Sequence, residues 1–402
     1  MEIPYISEHP NDFQDKVSRK LVEKYHKAKL GKNEFKFNLK SLPAEIYDFS
    51  WKELIGVDCT QGGVTGIFLC QFEDNRALTV KGSPNVAQDY FTTLLYQKLA
   101  IQVPLARIVQ YKDKEFKKMM HSLRSKTYHD LYIDNQLTHE LDRPFLIVSE
   151  YYPTLSLLML GPKRSALCFG YDKIKGYSRL RDLGVILALD LFLNNSDRIP
   201  LIWNNQGNPN TLCIEVIPTG LYGENLGDPE YVDIKLGTIF SVDSYCNCLR
   251  KDSVLAETLY NQHMERLERY IFSILRDLDE VLEGRNIGQV HFPSMEKAKE
   301  YFQSYANIAL DGTQLFQIIK GIVAGLKDIA DLEEGDLLEV YESARQLPME
   351  DKMNVWASGM QHIDMQFLSD VKKIIVNAIS ASIENVNWVI RNYNIDESPL
   401  YM

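Results

Sequence analysis

The chain opens without a segment of the kind that directs secretion: "MEIPYISEHPNDF" has neither a basic start nor an apolar core of signal-peptide length. No later run approaches the roughly 18 uninterrupted apolar residues of a membrane span. Excess positive charge is missing as well. Its 44 Lys and Arg stand against 55 Asp and Glu, a formal charge of −11, which argues against a generally nucleic-acid-binding or anionic-membrane surface and leaves room for a local basic pocket. Six cysteines, Cys59, Cys70, Cys168, Cys213, Cys246 and Cys248, lack the dense framework of a secreted domain and fit a reducing cytoplasm. Cys246 and Cys248 form a C-x-C with no second Cys or His pair to complete a zinc site. Internal repeats and low-complexity tracts are absent too.

What is there is a 402-residue chain, 45% hydrophobic and 25% charged, long enough for one large two-lobed domain or two domains. Residues 1–45 read as an N-terminal helical extension, with Phe13, Val17, Leu21 and Tyr25 at helical spacing before a polar, extended stretch. Residues 46–153 read as a small lobe. In it "WKELIGVDC", "IFLCQF" and "ALTVKGS" are three strands of an antiparallel meander, and "NVAQDYFTTLLYQKLA" is a helix with Val86, Tyr90, Leu94, Leu95 and Leu99 on one face. "PLARIVQYK" and "PFLIVSEYYP" supply a fourth and a fifth strand around a charged helical segment, 112–137. Residues 154–402 read as a mainly helical lobe with a C-terminal helical extension. Its parts are a buried helix from Tyr177 to Asn194, a strand pair "LCIEVI" and "GTIFSVDS", and helices over 253–283, 294–310, 314–329, 337–346 and 363–393. The predicted class is α+β, two-lobed and protein-kinase-like, with a small antiparallel-sheet lobe and a large helical one.

The chemistry-bearing motifs fall in an order. Gly62, Gly63 and Gly66 lie between two strands, where the backbone can approach a ligand and offer N–H groups to phosphate. Lys81 ends the third strand, and Asp89 on the helix that follows can hold it as an ion-pair partner. Glu150, Tyr151 and Tyr152, at the end of the fifth strand, read as a hinge for an adenine. The buried helix then ends in "LFLNNSDRIPLIWNNQGNPN". Phosphoryl transfer needs a carboxylate to receive or orient a hydroxyl proton, a cation to support that carboxylate, and an amide oxygen for Mg²⁺. Asp197, Arg198 and Asn210 are assigned to those tasks, with Asn208 competing for the metal. Asp243, at the end of the strand in "FSVDS", is the second metal ligand. Each piece alone also reads as ordinary turn and capping chemistry. Their joint order carries the kinase reading.

Four segments, "GVDCTQGGVTGIF", "VKGSPNVAQDYFTTLLYQKL", "LALDLFLNNSDRIPLIWNNQGNPN" and "FSVDS", resemble the catalytic domain of the actin-fragmin kinase family. The similarity runs from Glu34 through Asp243 and, less clearly, into "LDGTQLFQIIKGI". The resemblance implies an ATP- and Mg²⁺-dependent serine/threonine protein kinase that phosphorylates threonine on actin, or on actin bound to a gelsolin/fragmin-type capping protein. Its nucleotide and catalytic roles carry over to Lys81, Asp197, Asn210 and Asp243. Two other classes fit the same order. One is a pseudokinase acting as an actin-cytoskeleton interaction module, for which the G-G-x-x-G spacing and the short Asp89 speak; the other is a small-molecule or lipid kinase. A loop carrying Glu224, Asp228, Glu230 and Asp233 is a candidate for meeting a basic substrate surface. The expected setting is cytoplasmic, with no nucleic-acid partner and no membrane span.

Overall fold

The computed structural model describes residues 35, 37–38, 41–60, 66–128, 130–141, 143–171, 173–217, 235–287, 290–346, 351 and 354–393. The expected helix over 12–29, Gly62, Gly63 and residues 218–234 of the acidic loop lie outside them. The chain divides into two compact units, Met1–Phe37 and Asn38–Met402, and the second contains both lobes.

The small lobe is a sheet of order β2-β3-β4-β6-β5, built from β2 (Leu54–Cys59), β3 (Ile67–Phe72), β4 (Arg76–Gly82), β5 (Ala106–Gln110) and β6 (Phe145–Glu150). All these pairings are antiparallel, and a short β1 (Leu42–Pro43) runs parallel to β4. Alternation of side chains gives the sheet two different faces. Phe68, Cys70, Leu78, Val80, Leu146 and Val148 point to one, where α2 (Lys114–Thr127) and α3 (Leu131–Leu141) cover them through Phe116, Met119, Leu123 and Leu137. Phe145 and Ile147 point to the other, where α1 (Val86–Lys98) packs. The sequence order of β5 and β6 hides one fact: β6 fills the slot between β4 and β5 after the α2–α3 excursion.

A second sheet, β7-β8-β9 (Thr154–Ser156, Leu212–Ile217, Lys235–Ser241), is antiparallel and carries the site loops. The helical lobe contains α4 (Leu157–Ala166), α5 (Lys173–Leu193), α6 (Val254–Leu282), α7 (Glu296–Tyr305), α8 (Gly312–Asp331), α9 (Glu334–Arg345), α10 (Val355–Gln361), α11 (Met365–Ala381) and α12 (Ile383–Arg391). Its centre is the crossing of α5 on α8. Gly184 and Gly321 meet there, and a Cβ on either would strike the partner helix's backbone, at the carbonyl of Ile318 or of Arg181. Asp311 and Gln314 start α8 with a capping box.

Several features depart from the sequence reading: the charged helical segment over 112–137 is two helices, α2 and α3, and β7 and α4 have no counterpart in it. The expected helix over 363–393 is two, α11 and α12, broken at Ser382, whose φ of −122° and ψ of 29° leave the helical region. The seven-residue α10 lies outside the expected helices, because Gly359 and its short length give it little periodic signal. All six cysteines are free. The sulfurs of Cys246 and Cys248 lie 3.3 Å apart, and among the described residues no cluster of three His, Cys, Asp or Glu side chains could hold a metal alone. No described helix is long and apolar enough to cross a membrane.

Candidate active site

Strand register aims Lys81 into the space between the lobes. Lys81 pairs with Ile67 on one side and Ile147 on the other, so it shares the face of β6 that carries Phe145 and Ile147. Gly66 immediately precedes Ile67, and the foot of the glycine-bearing loop is closed by Thr60 N donating to Ile67 O at 2.9 Å. Gly66 itself is buried, and a Cβ there would come within 2.5 Å of Cys59 Sγ, so close packing already demands a glycine.

The Lys81 ammonium lies 2.6 Å from Asp243 Oδ1 and 3.4 Å from Asp89 Oδ2. Burial works against its charge, but Asp89 and Asp243 outweigh it and hold its pKa above the ordinary lysine value. Burial pushes the Asp89 carboxyl up, with Lys81 and the Ser83 hydroxyl opposing. One lysine thus joins the sheet, α1 and the loop after β9. The same helix reaches the loop a second time, since Gln88 Nε2 donates to Cys246 O at 2.9 Å.

Helix α5 ends at Leu193, and Asn194 takes the left-handed conformation, φ 53°, that asparagine tolerates well at a helix end. Its amide stitches two loops together: Oδ1 accepts from Trp203 Nε1 at 2.7 Å, and Nδ2 donates to Asn247 O at 2.8 Å. Asp197 follows, half-buried, accepting from Asn208 Nδ2 at 3.3 Å. Its pKa is raised by burial, with Asn208 and Arg198 opposing and Asp243 adding to the rise.

Arg198 does not reach across to Asp197, as the sequence reading had it. Its Nε pairs with Asp190 Oδ2 at 2.8 Å, and its two terminal nitrogens donate to Thr211 O, to Val242 O at 3.3 Å and to Ser244 Oγ at 2.7 Å. The turn at 194–197 sends Arg198 inward, where a fully buried guanidinium needs acceptors on every side. Asp190 also accepts from Asn195 Nδ2 at 2.8 Å and Tyr96 OH at 3.5 Å. Burial pushes its carboxyl up; Arg198, Asn195 and Tyr96 favour the ion. Asp190 escaped the sequence reading, although a charge inside the apolar run "LALDLFL" signals a buried partner.

The insertion after Arg198 packs downward. Leu201, Ile202 and Trp203 are buried, Arg266 NH1 donates to Ile202 O at 3.2 Å, and Lys297 Nζ donates to Trp203 O at 2.7 Å. The chain then returns to β8 through Asn208 and Asn210. Val242 N donates to Thr211 O at 3.1 Å, which sets Asn210 and Asp243 beside one backbone hydrogen bond. Asn210 is exposed and its Oδ1 accepts from Ser156 Oγ at 3.2 Å. Asp243 is exposed and strained, at φ 53°. A carboxylate and an amide oxygen suit a hard cation that takes its other oxygens from phosphate and water, as Mg²⁺ does.

At the junction of the lobes Glu150 N donates to Leu105 O at 3.0 Å, and Glu150 Oε2 accepts from Leu105 N at 2.9 Å and Tyr152 OH at 3.1 Å. The Tyr152 ring lies 4.8 Å from Phe240, and burial together with Glu150 pushes its hydroxyl up to about 12. Tyr151 is buried.

A small antiparallel-sheet lobe, a mainly helical lobe, and a strand lysine facing a helix acid and a loop acid between them define a protein-kinase-like fold. The chain belongs to the actin-fragmin kinase catalytic family: the family model described as "Actin-fragmin kinase, catalytic" matches residues 29–326. Three Dictyostelium discoideum proteins named as candidate actin-fragmin kinases are similar to it. One is 26% identical over 347 residues, 83% of this chain and 74% of its own length. A second is 24% identical over 377 residues, covering 90% of this chain and 83% of that protein, and a third is 24% identical over 331, covering 79% and 66%.

Proposed function

We propose that this chain is an ATP- and Mg²⁺-dependent serine/threonine protein kinase whose substrate is a threonine hydroxyl of actin, free or bound to a gelsolin/fragmin-type capping protein. The observation that carries the proposal is the Lys81 ammonium held between Asp89 and Asp243, 3.4 and 2.6 Å away. A lysine so placed pairs with nucleotide phosphate while a helix acid keeps it oriented. Mg²⁺, held by Asp243 and Asn210, would supply positive charge to the phosphates. Asp197 would orient the attacking hydroxyl and take up its proton, a task for which its raised pKa suits it. Arg198 would keep the loop in place through Asp190, Thr211 and Ser244. Gly62, Gly63 and Gly66 would cover the phosphates, and Glu150 to Tyr152 would line the adenine. Catalysis in this scheme is mostly positioning and charge neutralisation.

The test is transfer of radiolabelled γ-phosphate from Mg²⁺-ATP to free actin and to actin complexed with a gelsolin-type capping protein, with Asp243→Ala as control. Label on actin that vanishes in the control is expected. Nucleotide binding without transfer to any protein would overturn the enzyme reading and leave a pseudokinase; label on lipid alone would move the substrate class.

A further inference from the structure

Helices α9 and α10 lie beyond residue 326, where the family match ends, and both pack on α1. Trp356 of α10 is 2% exposed, with its ring 6.2 Å from Tyr90 of α1 and 5.3 Å from Phe145 of β6. One indole therefore touches both the helix that carries Asp89 and the strand beside Lys81. Its Nε1 donates to Ala344 O at 3.0 Å, which ties α10 to the end of α9. From α9, Tyr341 meets Phe91 edge-on at 6.4 Å, and Asp336 and Glu339 accept from Lys98 at 2.8 and 3.1 Å. Gly359 lets α10 approach closely: a Cβ there would sit 2.9 Å from the Cβ of Ala87.

The opposite side of α1 makes the polar links to the site. Asp89 reaches Lys81, Gln88 reaches Cys246 O, and Tyr96 reaches Asp190. At the start of α1 Asn85 makes no side-chain cap bond; its N–H donates to Ser83 Oγ at 3.1 Å. The Lys81–Asp89 contact at 3.4 Å is already long, so a small roll or slide of α1 breaks it. The apolar contact of Ala87, Tyr90 and Phe91 with α9 and α10 opposes that motion from the other side of the helix, beside the polar ties of Gln88 and Tyr96.

We infer that α9 and α10 form an intramolecular brace that sets Asp89 against Lys81, with Trp356 as its positioning residue; the inference rests on the nucleotide-binding reading of the cleft. A brace of this kind makes the pairing of Lys81 depend on chain segments that never touch the nucleotide.

The test uses the full chain and fluorescent N-methylanthraniloyl-ATP with MgCl₂, in Trp356→Ala, Trp356→Phe, Asp89→Asn and the Trp356→Ala/Asp89→Asn double variant, together with amide hydrogen exchange over 86–98. Trp356→Ala is expected to weaken nucleotide binding by about 3- to 30-fold, Trp356→Phe to restore most of it, and exchange in 86–98 to rise in the alanine variant while unfolding stays cooperative. In the Asp89→Asn background the alanine change should add less than about twofold, because two residues acting through one ion pair do not add. Unchanged affinity or unchanged exchange in Trp356→Ala, or full additivity in the double variant, overturns the brace. If Trp356→Ala does not fold, Gly359→Ala replaces it with the same expectations, since one methyl wedges α10 from α1 without emptying the core. Wild-type protein that binds no nucleotide overturns the cleft reading, and the brace's role in pairing Lys81 falls with it; unchanged exchange overturns the brace alone.

Discussion

Asp190 and Arg198 form an ion pair 2.8 Å long in which neither side chain has any exposure. Removing one member leaves a buried charge with no counter-charge. Arg198→Met or Asp190→Leu alone is expected to cost about 3–5 kcal/mol, and the two together less than their sum. Urea unfolding of the three variants reads this directly. Additive losses would show that each residue is held by its other hydrogen bonds and not by the pair.

Asp197 is half-buried and accepts a hydrogen bond from the Asn208 side chain. An amide is isosteric and cannot take up a proton. Asp197→Asn should lower turnover by about two to four orders of magnitude with nucleotide affinity preserved. A rate within a factor of about three of wild type would remove Asp197 from the chemistry.

The competition between Asn208 and Asn210 now has a geometric form. Asn208 donates to Asp197, and its Oδ1 accepts from Asn210 N at 3.1 Å, whereas the exposed Asn210 turns its oxygen to Ser156. Asn210→Ala should raise the Mg²⁺ concentration needed for half-maximal activity about tenfold. Asn208→Ala should lower turnover at saturating Mg²⁺ and shift the acid limb of the pH profile upward, since the hydrogen bond that lowers the Asp197 pKa is lost. Titrations of Mg²⁺ at fixed ATP distinguish the two; a shared phenotype would mean that the loop moves as one body.

His263 of α6 is buried against Phe367 of α11, ring centroids 5.7 Å apart, and its Nε2 has no partner among the described residues. Burial, with Arg266 nearby, pulls its pKa down to about 4 from 6.5. Between those values the unfolded chain binds a proton that the native chain refuses, so stability is full above pH 6.5 and declines as pH falls toward 4. The full effect is about 3 kcal/mol. His263→Leu should flatten that part of the stability–pH curve, measured by urea midpoints across the same acid range. An identical slope in the variant would assign the acid sensitivity to other groups.

The legible parts of the molecule were those written in local pattern. The short apolar run "IFLCQF" and the alternation in "LTVK", set apart by the "EDNR" turn, announce β3 and β4, and the polar cluster after Leu193 announces a loop. Lys81, Asp89 and Asp243 converge as their order suggested. Long-range facts were not legible. That β6 lies beside β4, that Arg198 turns to Asp190, and that Trp356 reaches Phe145 all depend on packing partners set by tertiary structure. Asp190 is the instructive case, since a carboxylate within an apolar run announces a partner without naming it.

The pairing of β4 with β3 and β6 has a consequence for how protein preparations are judged. Sliding β4 by one residue would exchange its two faces, turning Val80 toward the cleft and driving the Lys81 ammonium among Phe68 and Leu146. Such a mis-paired chain would keep much of its compactness and helix content, and would pass inspection by solubility or circular dichroism. It would have no lysine to offer a phosphate. Under the proposed function, the fraction of molecules able to bind nucleotide becomes a gauge of folding fidelity in this protein, stricter than solubility or circular dichroism.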